Sequence, residues 1–223
     1  MKLRRIFQKI LAKPIFKFSF DEYLYSSHYY SQNGEDIILL SLFKEPGFYV
    51  DVGAHDPIIK SNTYLLHQKG WTGINIDPNE TTINRFNAIR TSDQNIRALI
   101  SNESSCYEYL HYNEPAVNCI ASERRSEIDK KYKLLKIERI KSLKLSDILN
   151  SVNIPKSGID LLDVDCEGHD LSVLQSNDWD QFRPKLILAE ENEENETSIV
   201  TYLENLHFSL ILKLNNTLVF RSK

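Results

Sequence analysis

The sequence predicts an α/β fold, a mostly parallel sheet flanked by helices and closed at its end by an antiparallel hairpin. Three observations carry this. From Tyr49 onward, short β-rich runs alternate with helical ones, the pattern of βα units around a parallel sheet. The stretch Phe48–Pro57, FYVDVGAHDP, is an apolar strand that holds an acid and runs into a glycine loop. The tail FSLILKLNNTLVFR sets two apolar runs around Asn215 and Asn216, as a hairpin requires.

In chain order, IILLSLF reads as a helix that Ser31 or Asn33 can cap, and Phe48–Val52 is the first strand. A helix from about Ser61, capped by Ser61 or Asn62, stops at Gly70. Thr72–Ile76 is the second strand and ends at Asp77. Glu80–Arg90 is a helix with Ile83, Phe86 and Ile89 on one side, and Ile96–Ile100 is the third strand. Residues 101–143 are less regular: YEYLHY and KIERIKSL read as strands in an insertion or cover over the site. A helix at Ser146–Ser151, a strand at Ile159–Asp165, a helix at Asp170–Ser176 and a strand at Lys185–Glu190 follow. The acidic run Glu190–Glu196 is expected as a solvated loop before a final helix.

At 223 residues and 41% hydrophobic content the chain can bury a full core, and one domain is the natural expectation. No apolar run is long enough to span a bilayer and no leader pattern is visible, so a cytoplasmic location is expected. Cys106, Cys119 and Cys166 lack CxxC spacing, which fits buried or half-buried thiols in a reducing compartment. The net charge of −4 hides an asymmetry: residues 1–20 hold six Lys or Arg and no acid, which leaves about −10 on the rest. So acidic a body argues against nucleic-acid partners. We therefore divide the chain into a basic amphipathic segment, 1–30, and a main domain, 31–223. Leu3, Phe7, Ile10 and Leu11 recur at helical spacing among the basic residues. That pattern suits peripheral contact with an anionic inner-membrane surface through residues 1–20, or packing of the helix on its own domain.

Ligands of open α/β sheets bind beyond the carboxyl ends of the strands, which directs attention to Gly53, Ala54, His55 and Asp77. The Gly53-to-Asp77 separation is near the roughly 20 residues that place a carboxylate on a ribose, so an adenosine-type cofactor is expected. A dinucleotide needs further glycines to admit its pyrophosphate, and this loop lacks them. S-adenosylmethionine carries no phosphate. Its ammonium group calls for an acid such as Asp51, and its carboxylate for backbone N–H groups at Gly53 and Ala54.

The sequence also resembles the FkbM-type methyltransferases, enzymes that use S-adenosylmethionine to methylate oxygen. The resemblance runs from SQNGED (Ser31–Asp36) through YVDVGAHDP, SNTYLL, GWTGINIDPN and DLLDVDCEGHDLSVLQS to RPKLILAE. It implies a class I, Rossmann-like three-layer sandwich with a seven-stranded sheet. It also implies cofactor contacts at Asp51, Gly53, Ala54 and Asp77, and acceptors such as sugar, lipopolysaccharide or polyketide hydroxyls. Many relatives carry glutamate where Asp77 stands, and the shorter arm still accepts from a ribose. Gln32 and Glu35, in the upstream block, are assigned to the cofactor or acceptor as well.

Methyl transfer is an in-line displacement in which the protein aligns the acceptor, and a positioned base helps a weakly nucleophilic hydroxyl. DVDCEGHD supplies the densest set: Asp163, Asp165 and Glu167 alternate, and His169 opens the next helix. We assign Asp165 and Glu167 to the acceptor side and His169 as a base, against the plain reading of His169 as a polar helix-start residue. Asp163 is read as structural, His55 as a turn residue, and Trp71 and Trp179 as packing. A divalent metal on Asp163, Asp165 and Glu190 is weighed, and a metal-free site is expected. Two other functions are weighed: a nicotinamide-dependent oxidoreductase, opposed by the missing glycines, and an adenosine-binding module without turnover. Neither the acceptor nor the oligomeric state is encoded legibly.

Overall fold

The computed structural model describes residues 29–121, 125–191 and 196–223. The basic segment 1–20 lies outside the described residues, and so does most of the acidic run expected as a solvated loop, 192–195.

Helix α1 (Glu35–Leu42) leads into β1 (Phe48–Val52), α2 (Tyr64–Gln68), β2 (Thr72–Asp77), α3 (Glu80–Ile89) and β3 (Gln94–Arg97). Next come β4 (Cys106–Tyr112), a 3-10 turn at Pro115–Val117, β5 (Cys119–Ile120), α4 (Arg125–Lys131) and β6 (Leu134–Lys141). Helix α5 (Leu145–Ser151), β7 (Leu161–Val164), α6 (Asp170–Gln175), β8 (Leu186–Glu190), α7 (Glu196–Asn205) and the pair β9 (Phe208–Leu214) and β10 (Thr217–Ser222) follow. Seven strands form one sheet in the order β3-β2-β1-β7-β8-β10-β9. All neighbours from β3 to β8 are parallel, and β10 runs antiparallel to both β8 and β9. This is the Rossmann-like α/β architecture with a terminal antiparallel pair that the sequence predicts.

β1 is buried along its whole length, which is why it reads as a nearly continuous apolar run. Its alternation sorts residues onto two faces. Val50 and Val52 join Ile74, Ile76 and Ile187 in a core closed by α5, α6 and α7. Tyr49 joins Leu161, Leu188 and Trp71 in a second core closed by α1 and α2.

Several boundaries differ from expectation. β3 ends at Arg97 because its partner β2 ends at Asp77, the residue paired with Arg97. Ala98, Leu99 and Ile100 continue buried beyond the sheet. α2 begins at Tyr64 rather than Ser61, and the Ser61 hydroxyl, ahead of the helix, accepts from the Tyr64 N–H at 3.2 Å. Ile89, expected on the packed side of α3, is 38% exposed because the helix ends there. Residues 101–143 include a separate three-stranded antiparallel sheet, β5-β4-β6, over a small core of Leu110, Tyr112 and Cys119. Among the described residues no helix is long and apolar enough to cross a membrane.

Candidate active site

Strand order reverses between β1 and β7: the chain moves outward from β1 to β2 and β3, then returns to β7 on the other side. A cavity of about 250 Å³ opens at the carboxyl ends of these strands. The 101–143 sheet covers it, contributing Tyr109 and the segment Pro115–Ile120 to the wall.

Gly53 follows β1 with φ at +87°, and a Cβ there would lie 1.8 Å from the Asp165 carbonyl oxygen. Only glycine lets the two loops approach so closely. The N–H groups of Gly53 and Ala54 both donate to the Ile76 carbonyl, at 2.9 and 3.2 Å. They are therefore committed to β2. This corrects the expectation that they receive a ligand carboxylate, and it leaves no backbone cradle for a pyrophosphate. What these two residues contribute is shape.

Asp51 is buried in β1 and accepts from Thr63 Oγ1 at 2.7 Å. Thr63 in turn accepts from Arg90 Nη1 at 2.8 Å, and Arg90 also donates to Tyr49 Oη, Ser61 Oγ and the Pro57 carbonyl. The guanidinium is fully buried and makes four hydrogen bonds to these partners. It fixes the 57–63 loop, which brings Ser61 and Asn62 to the cavity. Neither Thr63 nor Arg90 was singled out from the sequence, because an arginine closing a helix ordinarily reads as a solvated cation.

Asp77, at the end of β2, accepts from the Asn79 N–H at 2.7 Å and the His55 N–H at 3.1 Å. Burial raises its pKa to about 6 despite these two bonds. A carboxylate has about four acceptor sites, so Asp77 retains capacity for hydroxyls entering the cavity. His55 holds a left-handed turn at φ 53° and lines the same cavity, and burial lowers its pKa. Ala98, Leu99, Ile100, Val117 and Ile120 supply apolar walls beside Asp77.

The opposite end is acidic. Asp163 sits in register with Asp51 on adjacent parallel strands, 3.4 Å from the Asn62 amide, and its pKa is driven up by burial and then by Asp51 and Asp165. The Asp165 carboxyl is likewise pushed up, by burial and by its hydrogen-bonded neighbour Glu190. β7 ends at Val164, so the strand alternation expected to align Asp163, Asp165 and Glu167 breaks off. A tight turn brings the acids together instead, with Glu167 at φ 52°. Asp165, Glu167 and Glu190 can place carboxylate oxygens within 4.8 Å of one another. Among the described residues that trio, and not the Asp163-containing set weighed from the sequence, is close enough to hold a divalent ion.

Asp170 holds this turn, accepting from the Cys166 N–H at 3.3 Å and the Gly168 N–H at 3.2 Å. Its burial lifts the pKa to about 8. The readable sign was an acid in the first turn of a helix. His169 is the N-cap of α6 but makes no cap bond with its side chain. Its Nε2 is buried without a hydrogen-bond partner, its ring meets Tyr107 edge-on at 5.6 Å, and burial lowers its pKa. Asp165, Glu167 and His169 all line the cavity.

Upstream, Gly34 is the N-cap of α1, and the Ser31 hydroxyl accepts from the N–H groups of Gly34 and Asp36. Gln32 lines the main cavity. It also lines a second one of about 310 Å³, as does Glu35. Glu35 is not among the main cavity's lining residues, and Asn33 and Thr217 donate to its carboxylate.

Residues 51–210 match the family profile described as Methyltransferase FkbM domain. No curated protein matches the chain. The matched span contains the loops after β1, β2 and β7 and stops short of the 215–216 turn.

Proposed function

The chain belongs to the FkbM methyltransferase family, and from that premise we propose that it moves the methyl group of S-adenosylmethionine onto a hydroxyl of a carbohydrate, lipopolysaccharide or related glycan. One observation carries the choice of cofactor: the cavity is acidic and offers no phosphate cradle. Among the described residues Asp51, Asp77, Asp163, Asp165, Glu167 and Glu190 line it, against Lys60 as the one lysine or arginine. The Gly53 and Ala54 amides, where a pyrophosphate would bind, are already bonded to Ile76. An entering sulfonium or ammonium favours the ionised form of these carboxyls and is held by it, whereas a dinucleotide's phosphates disfavour that ionisation.

On this reading Asp77 accepts the ribose hydroxyls, the 98–100 and 117–120 segments hold the base, and the acids after β1 and β7 face the cationic end. The cofactor supplies an activated methyl group, and the protein aligns the acceptor oxygen and excludes water. His169, kept neutral by burial, is the residue that takes the hydroxyl proton.

The test is a thermal shift with S-adenosylhomocysteine, NAD or buffer. A ligand at 100 times its dissociation constant adds about 2.7 kcal/mol of stability. We expect stabilisation by S-adenosylhomocysteine, and stabilisation by NAD alone would reverse the assignment.

A further inference from the structure

We infer that the second cavity seats the acceptor and that the turn between β9 and β10 reads it, selecting a neutral or amino-bearing sugar over an anionic or lipidic one. The inference rests on the glycan reading above and deepens it.

The cavity adjoins the cofactor cavity and shares Gln32, Asn62, Asp165 and Glu190 with it. A ring seated there extends its reacting hydroxyl past these shared residues into the main cavity, which His169 lines. Every residue lining the second cavity bears an amide, a carboxyl or a hydroxyl. Not one is aliphatic or aromatic, so an acyl chain or polyketide finds no apolar wall. Among the described residues none that lines it is lysine or arginine, so a uronate or sugar phosphate would face the Glu35 carboxylate, whose pKa is lowered, with no cation in the described lining. Dense donors and acceptors with excess negative charge match a polyhydroxyl ring, and they tolerate an ammonium substituent.

The site is built by joining distant parts of the chain. Asn215 Nδ2 donates to Asn33 Oδ1 at 2.6 Å, and Thr217 Oγ1 donates to Glu35 Oε1 at 3.2 Å. The Asn216 carbonyl accepts from the Glu191 N–H at 2.7 Å. Asn215 takes a left-handed φ of 49°, a conformation that asparagine tolerates. Backbone bonding thus fixes Asn216 in place where it lines the cavity. Asn216 is a specificity-determining residue, and its substitution leaves these backbone contacts intact.

The test uses the full chain. Calorimetry with S-adenosylhomocysteine comes first, and absence of binding would sink the cofactor reading together with this one. On protein saturated with that ligand, saturation-transfer NMR then compares methyl glucoside, glucosamine and glucuronate. We expect the first two to bind and glucuronate not to. In Asn216→Leu, methyl glucoside should bind about tenfold more weakly, the loss of one or two hydrogen bonds, at unchanged S-adenosylhomocysteine affinity. Given intact cofactor binding, equal binding of glucuronate, an unaffected Asn216→Leu variant, or no sugar bound at all would each overturn the inference.

Discussion

The Thr63 hydroxyl donates to Asp51 Oδ2 at 2.7 Å and accepts from Arg90 Nη1 at 2.8 Å, so one side chain links a buried carboxyl to a buried guanidinium. Val is nearly isosteric but offers neither bond. Thr63→Val should leave both groups short of a partner, at about 1–3 kcal/mol. For a chain of this size that is a fall of roughly 2–12 °C in Tm. Thr63→Ser, which keeps the hydroxyl, should recover most of it in a thermal melt; equal losses in the two variants would refute the relay.

Two glycines with nearly the same φ offer a controlled comparison. Gly34, at +86°, has nothing within 4 Å of an added Cβ, while Gly53, at +87°, has the Asp165 carbonyl at 1.8 Å. Gly34→Ala should therefore carry only the left-handed backbone penalty, about 1–2 kcal/mol. Gly53→Ala must push the β1 and β7 loops apart, and we expect it to abolish S-adenosylhomocysteine binding where Gly34→Ala does not. Calorimetry on the two variants decides the matter.

The main sheet was legible because buried parallel strands announce themselves. FYVDV, TGINID and LILAE are short runs bounded by turn residues, and the Asn215–Asn216 turn marks the hairpin. Asp77 and the β7 acids were legible for a related reason, since acids stand out against apolar strands. Arg90 and Thr63 were not, because their meaning depends on contacts between residues 27 apart. The polar cavity was hidden for the same reason: Asn33 and Asn215 are separated by 182 residues, and each alone reads as a turn residue. Glu167 was assigned to a strand face by period-2 counting, which fails wherever the strand ends before the motif does.

Stability should fall as pH rises from about 7 to 8.5. Asp163 and Asp165 are held well above the carboxylate range, and Asp170 is lifted to about 8. In that window the folded state retains protons that the unfolded chain has released, so the slope of unfolding free energy against pH is negative. His55, His111 and His169, whose pKa values are lowered, oppose this only below about pH 6.5, where the unfolded imidazoles take up protons. Ligand-free melts across the range should show Tm falling with pH. A flat or rising profile would mean that the buried acids are ionised.

Cofactor affinity should carry the opposite sign at lower pH. Asp77 has a pKa of about 6 in the free protein, and ribose hydroxyls donating to it favour the carboxylate. Binding then expels a proton, and affinity for S-adenosylhomocysteine should rise about tenfold from pH 5 to 7 and level off. Asp77→Asn should bind more weakly and lose most of that dependence. A wild-type profile that stays flat over this range removes Asp77 from the ribose.

His169 separates catalysis from binding. Its Nε2 is buried without a partner in the cavity wall, its ring meets Tyr107 edge-on, and burial lowers its pKa and so favours the neutral ring. A neutral imidazole with an open acceptor can take a proton from an incoming hydroxyl, a contribution of about 10²–10⁴-fold. His169→Ala should keep wild-type affinity for S-adenosylhomocysteine and lose turnover by that factor with labelled cofactor and cell glycan extract. His169→Asn separates a base from a hydrogen-bonding role, because asparagine can accept a bond but does not titrate in this range. If the Asn variant restores the rate, the imidazole positions the acceptor, and the proton passes to Glu167.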